Sequence, residues 1–198
     1  MAYRFLYMAR HGEAGADGEL TENGRRQAEL LGQRLDHVPF TAIGHSPLAR
    51  AAATAATVSA ALPDVAVHSA DLLGDYVPFA PERTELPPVY SDFLDTFSAT
   101  ELADGPPLAR AALERYTGPA DQDTYELVVT HNFLIGWFVS QALDAPPSRW
   151  LGLNQGNCGL TVLLYRNDRP PSLVTFNDMG HLPPELRWTG FPSELRAN

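Results

Sequence analysis

Short apolar runs alternate with helix-length segments along most of this chain, and that alternation restricts the fold more than any other feature. Residues 3–7 read as a short buried strand, and residues 42–45, 65–68 and 125–130 repeat the pattern. Helical segments fall between them. Thr21 can cap a helix that runs to about Leu35, with Glu22 favourably placed in its first turn. Leu30, Leu31 and Leu35 supply its apolar face, and Arg25, Arg26, Gln27 and Gln33 its wet one. Ser46 and Pro47 read as an N-cap followed by proline at the first helical position, opening an alanine-rich helix to about Leu62. Residues 108–116 and 132–143 supply two further helices. Residues 158–165 and 172–177 supply two further strands, expected as a hairpin around 167–170. Strands that alternate with helices imply an α/β fold, a three-layer α/β/α sandwich around a mostly parallel sheet. Residues 74–107 break the pattern with many prolines, several acids and an aromatic patch at 89–97. They read as a small cap insertion over the sheet edge, within a single domain spanning residues 1–198. The proline-rich tail, 182–198, reads as irregular.

The first strand runs directly into Arg10-His11-Gly12-Glu13. The carboxyl edge of an open α/β sheet is where ligands bind, and Gly12 is expected to leave room for a ligand beside the backbone. A neutral imidazole is a capable nucleophile, and a guanidinium clamps phosphate oxygens. His11 is therefore expected to attack phosphorus, with Arg10 bracing the oxygens. Arg50 falls in the first turn of the helix after Ser46-Pro47, within reach of the same edge. His131 ends the strand at 125–130 and can meet His11 in space. Three positive or donor groups around a transferring phosphoryl match what electrostatic catalysis requires without a metal. The chemistry also needs a carboxyl group that acts first as acid and then as base. Asp75 is the expected one, because it follows the third strand candidate and opens the cap; phosphate beside a carboxyl group favours its protonated form. Glu13, Asp17 and Glu82 are its rivals. The aromatic residues Tyr90, Phe93 and Phe97 read as packing between cap and body, with the lining of an apolar leaving-group pocket as the alternative. No histidine pair has the spacing of a metal motif and one cysteine cannot build a thiolate site, so no metal and no cofactor are expected.

Four blocks carry a resemblance: Arg10-His11-Gly12-Glu13, residues 20–28 (LTENGRRQA), Ser46-Pro47-Leu48-Ala49-Arg50-Ala51, and Val128-Val129-Thr130-His131-Asn132. In this order and spacing the chain resembles the histidine phosphatase superfamily, with its phosphoglycerate-mutase-like fold. Residues 150–158 and 177–182 resemble its small-phosphatase branch, which includes serine/threonine protein phosphatases. The resemblance implies a phosphomonoester hydrolase with His11 as the phosphorylated nucleophile and Arg10, Arg50 and His131 as the phosphate pocket. Asn132, where many members have glycine, is carried over as a substrate-binding residue. Asp75 aligns with a proton donor that is usually glutamate, one methylene longer. Ala14 replaces a common hydroxyl residue. The resemblance also admits a phosphoglycerate-type mutase, or a member that binds phosphorylated ligands without turning them over. It implies a phosphorylated small molecule or phosphopeptide as substrate, and a homodimer.

Composition narrows the partners. The 198 residues carry a formal net charge of −10, which disfavours nucleic acid and anionic membrane surfaces. The 14 basic residues are all arginine, so a Schiff-base lysine and a P-loop lysine are excluded. No stretch approaches the ~20 apolar residues of a membrane span, and the N-terminal run is too short for a signal peptide. The single Cys158 fits a reducing, cytoplasmic setting.

Overall fold

Residues 3–10 alternate in the way a strand with two covered faces requires. In the computed structural model, which describes residues 2–118 and 120–196, they form strand β1 (Tyr3–Arg10). Leu6 and Met8 point into one hydrophobic core and Phe5, Tyr7 and Ala9 into another. Strands β2 (Ala42–His45), β3 (Val67–Ser69), β4 (Thr124–Thr130), β5 (Leu160–Arg166) and β6 (Arg169–Asp178) complete a six-stranded sheet in the order β3-β2-β4-β1-β5-β6. The β1–β4, β2–β4 and β2–β3 pairs are parallel, whereas β5 and β6 run antiparallel as a hairpin.

Helices α1 (Glu22–Leu35) and α2 (Ala49–Ser59) cover one face through Ala28, Leu31, Leu35, Ala51, Ala55 and Val58. Across the sheet lie α3 (Pro88–Leu94), α4 (Ala99–Thr117) and α5 (Asn132–Ala142), of which α5 is apolar nearly all round. These three layers are the expected sandwich. Burial of Leu, Ile, Phe and Trp side chains on both faces stabilises it, at roughly 1.5–3 kcal/mol for each fully buried large apolar side chain.

Several local expectations change on folding. Gln27, placed by periodicity on the wet face of α1, is 0% exposed. Its oxygen accepts from the Glu13 N–H at 2.8 Å, while its amide donates to the Leu186 carbonyl and the Thr189 hydroxyl. The buried amide is thereby satisfied, as burial requires. Ser46 is not the N-cap of α2, which begins after Leu48 and has no side-chain cap. Its hydroxyl oxygen accepts from the Leu48 N–H just ahead of the helix and, at 2.8 Å, bonds His131.

The segment 74–107, expected as a cap insertion, contains α3 and the start of α4, which begins at Ala99 rather than at the expected residue 108. Ser98 and Glu101 form a reciprocal capping box there. Gly105, Ala109, Ala112 and Tyr116 then bury one stripe at helical spacing. That burial carries α4 through Pro106 and Pro107, which remove only two of its donors. The tail forms two short 3-10 turns and packs Met179, Leu182 and Leu186 against Leu30 and Trp188. Met1 and Pro119 of the expected single domain, and Ala197 and Asn198 of the tail, lie outside the described residues.

Candidate active site

The carboxyl ends of β1 and β4 lie side by side, with Arg10 in register with Thr130. His11 and His131 therefore leave the sheet together, and their ring centroids are 5.1 Å apart. The imidazole Nδ1 of His11 lies 2.8 Å from the Gly12 carbonyl, which can only accept, so Nδ1 carries the proton. Nε2 is left with its lone pair, and the Arg50 Nε donates to it at 3.1 Å. Burial, against the Gly12 bond and helped by the charges of His131, Arg10 and Arg50, pushes the His11 pKa down to about 3. The ring is neutral at physiological pH and presents one defined nitrogen. Gly12 itself serves packing more than ligand approach: a side chain there would strike the Gly24 carbonyl at the start of α1.

Arg50 extends from the first turn of α2 and bonds the Asp75 carboxylate through Nη2 at 2.7 Å. The same Nη2 lies 3.4 Å from the His131 Nδ1. His131, 1% exposed, places its other nitrogen 2.8 Å from the Ser46 hydroxyl. Because Nδ1 faces a donor, Nε2 holds the proton and donates to Ser46. Burial, then Arg50 and Arg10, push this imidazole also to about 3. Arg10 is clamped at Nη1 by the carbonyls of Gln155 at 2.7 Å and Gly190 at 2.6 Å. Burial lowers its pKa below the usual arginine value, and Asp75 opposes this. Its Nε is buried with no hydrogen-bond partner, an unmet donor of the kind an oxyanion satisfies.

Arg10, His11, Glu13, Arg50, Asp75, Asn157 and Gly190 are among the residues that line a cavity of about 320 Å³. The structure thus brings together His11, Arg10, Arg50 and Asp75. His131 stands behind the Arg50–Asp75 pair, 3.6 Å from the Asp75 carboxylate. Asn132 does not line the cavity. Its oxygen accepts from the Gln155 N–H and its nitrogen donates to Asn154, so it holds the loop that clamps Arg10. Of the rivals to Asp75, Glu13 has one oxygen bound by the Thr21 hydroxyl at 2.7 Å, and Asp17 caps the Glu19 N–H. Glu82 is exposed in the segment before α3.

Three contributors escape sequence reading. Asn157 donates to the His11 carbonyl at 2.9 Å, Gln155 accepts from Arg10, and Gly190 supplies the second acceptor from the tail. The first two lie in the block at 150–158 noted for its resemblance. Gly190 has no sequence signal, because its role depends on where the tail lands. Among the described residues no group of three or more His, Cys, Asp or Glu side chains is arranged to hold a metal ion, and no helix is long and apolar enough to cross a membrane.

Residues 6–179 match the histidine phosphatase superfamily (branch 1), and the chain belongs to that family. It is 36% identical over 192 residues to the mitochondrial serine/threonine-protein phosphatase Pgam5 of Caenorhabditis elegans, covering 92% of this chain and 66% of that one. To the mitochondrial PGAM5 of Homo sapiens it is 34% identical over 196 residues, covering 93% of this chain and 65% of that one. The chain thus spans slightly less than two thirds of these relatives' length. The crystal structure of a phosphoglycerate mutase from Plasmodium falciparum superposes with a TM-score of 0.63 at 25% identity, covering 92% of this chain and 96% of that one. The expected cytoplasmic location is corrected by the first two relatives, whose names place them in mitochondria. Cys158 carries no information on the compartment, since a single fully buried thiol cannot form an internal disulfide in any setting.

Proposed function

We propose that the chain hydrolyses phosphate monoesters through a phosphohistidine on His11, without a metal. One observation carries the reading: the proton of His11 is fixed on Nδ1 by Gly12, so Nε2 keeps its lone pair, held by the Arg50 Nε–H until a phosphate claims that arginine, at a cavity lined by Arg10, His11, Arg50 and Asp75. In the first step Nε2 bonds phosphorus as the ester P–O bond breaks, and Asp75 passes a proton to the departing oxygen. The Gly12 carbonyl offsets the positive charge on the phosphorylated ring. In the second step Asp75 takes a proton from water as the water oxygen bonds phosphorus and the P–N bond breaks. Arg10 and Arg50 offset charge on the phosphoryl oxygens in both transition states.

The resting Arg50–Asp75 ion pair suits this cycle. An incoming phosphate dianion competes for Arg50 and leaves Asp75 beside negative charge, which favours a proton on the carboxyl group. The same displacement uncovers Nδ1 of His131; with the ring proton shifted to Nδ1 and Nε2 accepting from the Ser46 hydroxyl, the imidazole donates to a phosphoryl oxygen. Substrates are phosphorylated small molecules or phosphopeptides. The relatives named as serine/threonine-protein phosphatases support the second class.

The test is His11→Ala assayed with a chromogenic aryl phosphate. We expect a loss in kcat/KM of about 10³-fold or more, and no effect of a chelator on the parent enzyme. Rapid quenching with radiolabelled substrate should leave base-stable, acid-labile label on the parent chain and none on the variant. Turnover that survives the substitution overturns the reading.

A further inference from the structure

A second cavity, of about 470 Å³, begins where the first one ends. Asp75 lines both. Its remaining wall comes from the segment 76–77, from Phe97, from the first turns of α4 and from Phe133 of α5. A leaving group that receives its proton from Asp75 departs on this side, since the phosphoryl oxygens occupy the arginine side.

The two cavities differ sharply in character. The first is walled by Arg10 and Arg50; no arginine or histidine lines the second. Its charged groups besides Asp75 are Glu101 and Asp104, neither of which forms an ion pair among the described residues. Glu101 is held in place by the Ser98 N–H and hydroxyl, both of which reach its Oε2. The rings of Phe97 and Phe133 line the same cavity and meet edge to face at 6.2 Å. An apolar body with a positive end satisfies both walls at once: the stem packs on the rings, which also attract a cation through their faces, and the charge meets the carboxylates. A phosphorylated sugar acid meets like charge here.

Resting on the hydrolase reading, we infer that this second cavity is the leaving-group subsite and selects monoesters whose leaving group carries a positive charge on an apolar stem. Two sources have that chemistry: a phosphopeptide with a basic side chain beside the phosphorylated residue, and a small amine ester. Asp104, exposed on α4 and outside the reaction cavity, is the residue that sets the preference.

The experiment uses the full chain and its Asp104→Asn and Asp104→Arg variants. Turnover of 4-(aminomethyl)phenyl phosphate is compared with that of 4-methylphenyl phosphate, and of an arginine-flanked phosphoserine peptide with its alanine-flanked counterpart. Calorimetry follows binding of the matched phosphonates of the two aryl esters. We expect kcat/KM and affinity to favour the cationic ligand of a pair. Neutralisation should reduce that preference roughly fivefold and charge reversal roughly twentyfold, while values for the neutral aryl ester stay within about twofold. The pair that shows the larger preference identifies the source. Equal binding of both phosphonates, or a preference unchanged in Asp104→Arg, overturns the subsite. A binding preference without turnover of any ester overturns the hydrolase reading and leaves the subsite standing.

Discussion

His11 and His131 are two imidazoles that burial keeps neutral, and this has a consequence for stability as well as for chemistry. Both have pKa values pushed from 6.5 to about 3 in the fold. The unfolded chain regains the ordinary value, so between about pH 6.5 and about 3 it binds more protons than the folded chain. Stability therefore falls as pH drops through that window and is insensitive to these groups above it. A double variant, His11→Gln with His131→Gln, should lose less Tm between pH 7.5 and pH 5 than the parent; parallel losses would contradict the assignment. Arg50 is the second residue whose shape matters, because its Nε reaches His11 while Nη2 reaches Asp75. Arg50→Lys keeps the charge and loses that fork. We expect kcat/KM to drop about 10²-fold with little change in Tm. The identities of Arg10, His11 and Arg50 are legible in the sequence because each sits next to a strand end or a helix start, and local patterns reveal both; Asp75, six residues past β3 and beyond a 3-10 turn, stands out from its rivals only through the family resemblance of its segment. Which nitrogen of each ring holds its proton is not legible, since carbonyl and hydroxyl partners decide it.

At the scale of elements, the sequence shows helices by period and strands by apolar run, and errs where another interaction competes for the same residue. Ser46 has the composition of an N-cap, but its hydroxyl serves His131. Ser46→Ala should therefore lower kcat by roughly tenfold, through loss of His131 orientation, with Tm changed by no more than a few degrees. Helix α4 is the converse case. Its prolines argue against a helix, yet the capping box at Ser98 and the buried stripe from Gly105 to Tyr116 outweigh two lost donors. Ser98→Ala removes the cap, and chemical denaturation should show a loss of about 1 kcal/mol. A loss near zero would mean that burial alone starts the helix. The same N-terminal turns carry Glu101 and Asp104 into the second cavity, so a helix hidden by its prolines also hides a wall of the leaving-group subsite.

For the whole molecule, the decisive event is the return of the tail across the carboxyl edge of the sheet. Gly190 accepts from Arg10 across 180 residues of sequence. It adopts φ +69°, and a side chain there would meet the Asn157 amide oxygen and the Arg10 guanidinium. Gly190→Ala should displace Arg10, raising the KM for a small ester and the Kd for inorganic phosphate by about tenfold while kcat changes less. An unchanged phosphate Kd would remove the tail from the site. By itself the sequence determined the sandwich, the order of its strands along the chain and the four side chains that meet at one edge, because apolar period, helix caps and strand-to-turn junctions are local properties. Only the tertiary structure decided the buried setting of Gln27, the hold of the tail on Arg10, the neutrality of both imidazoles and the acidic, aromatic second cavity. Each of these depends on groups far apart in sequence being desolvated against one another, and no local pattern records that.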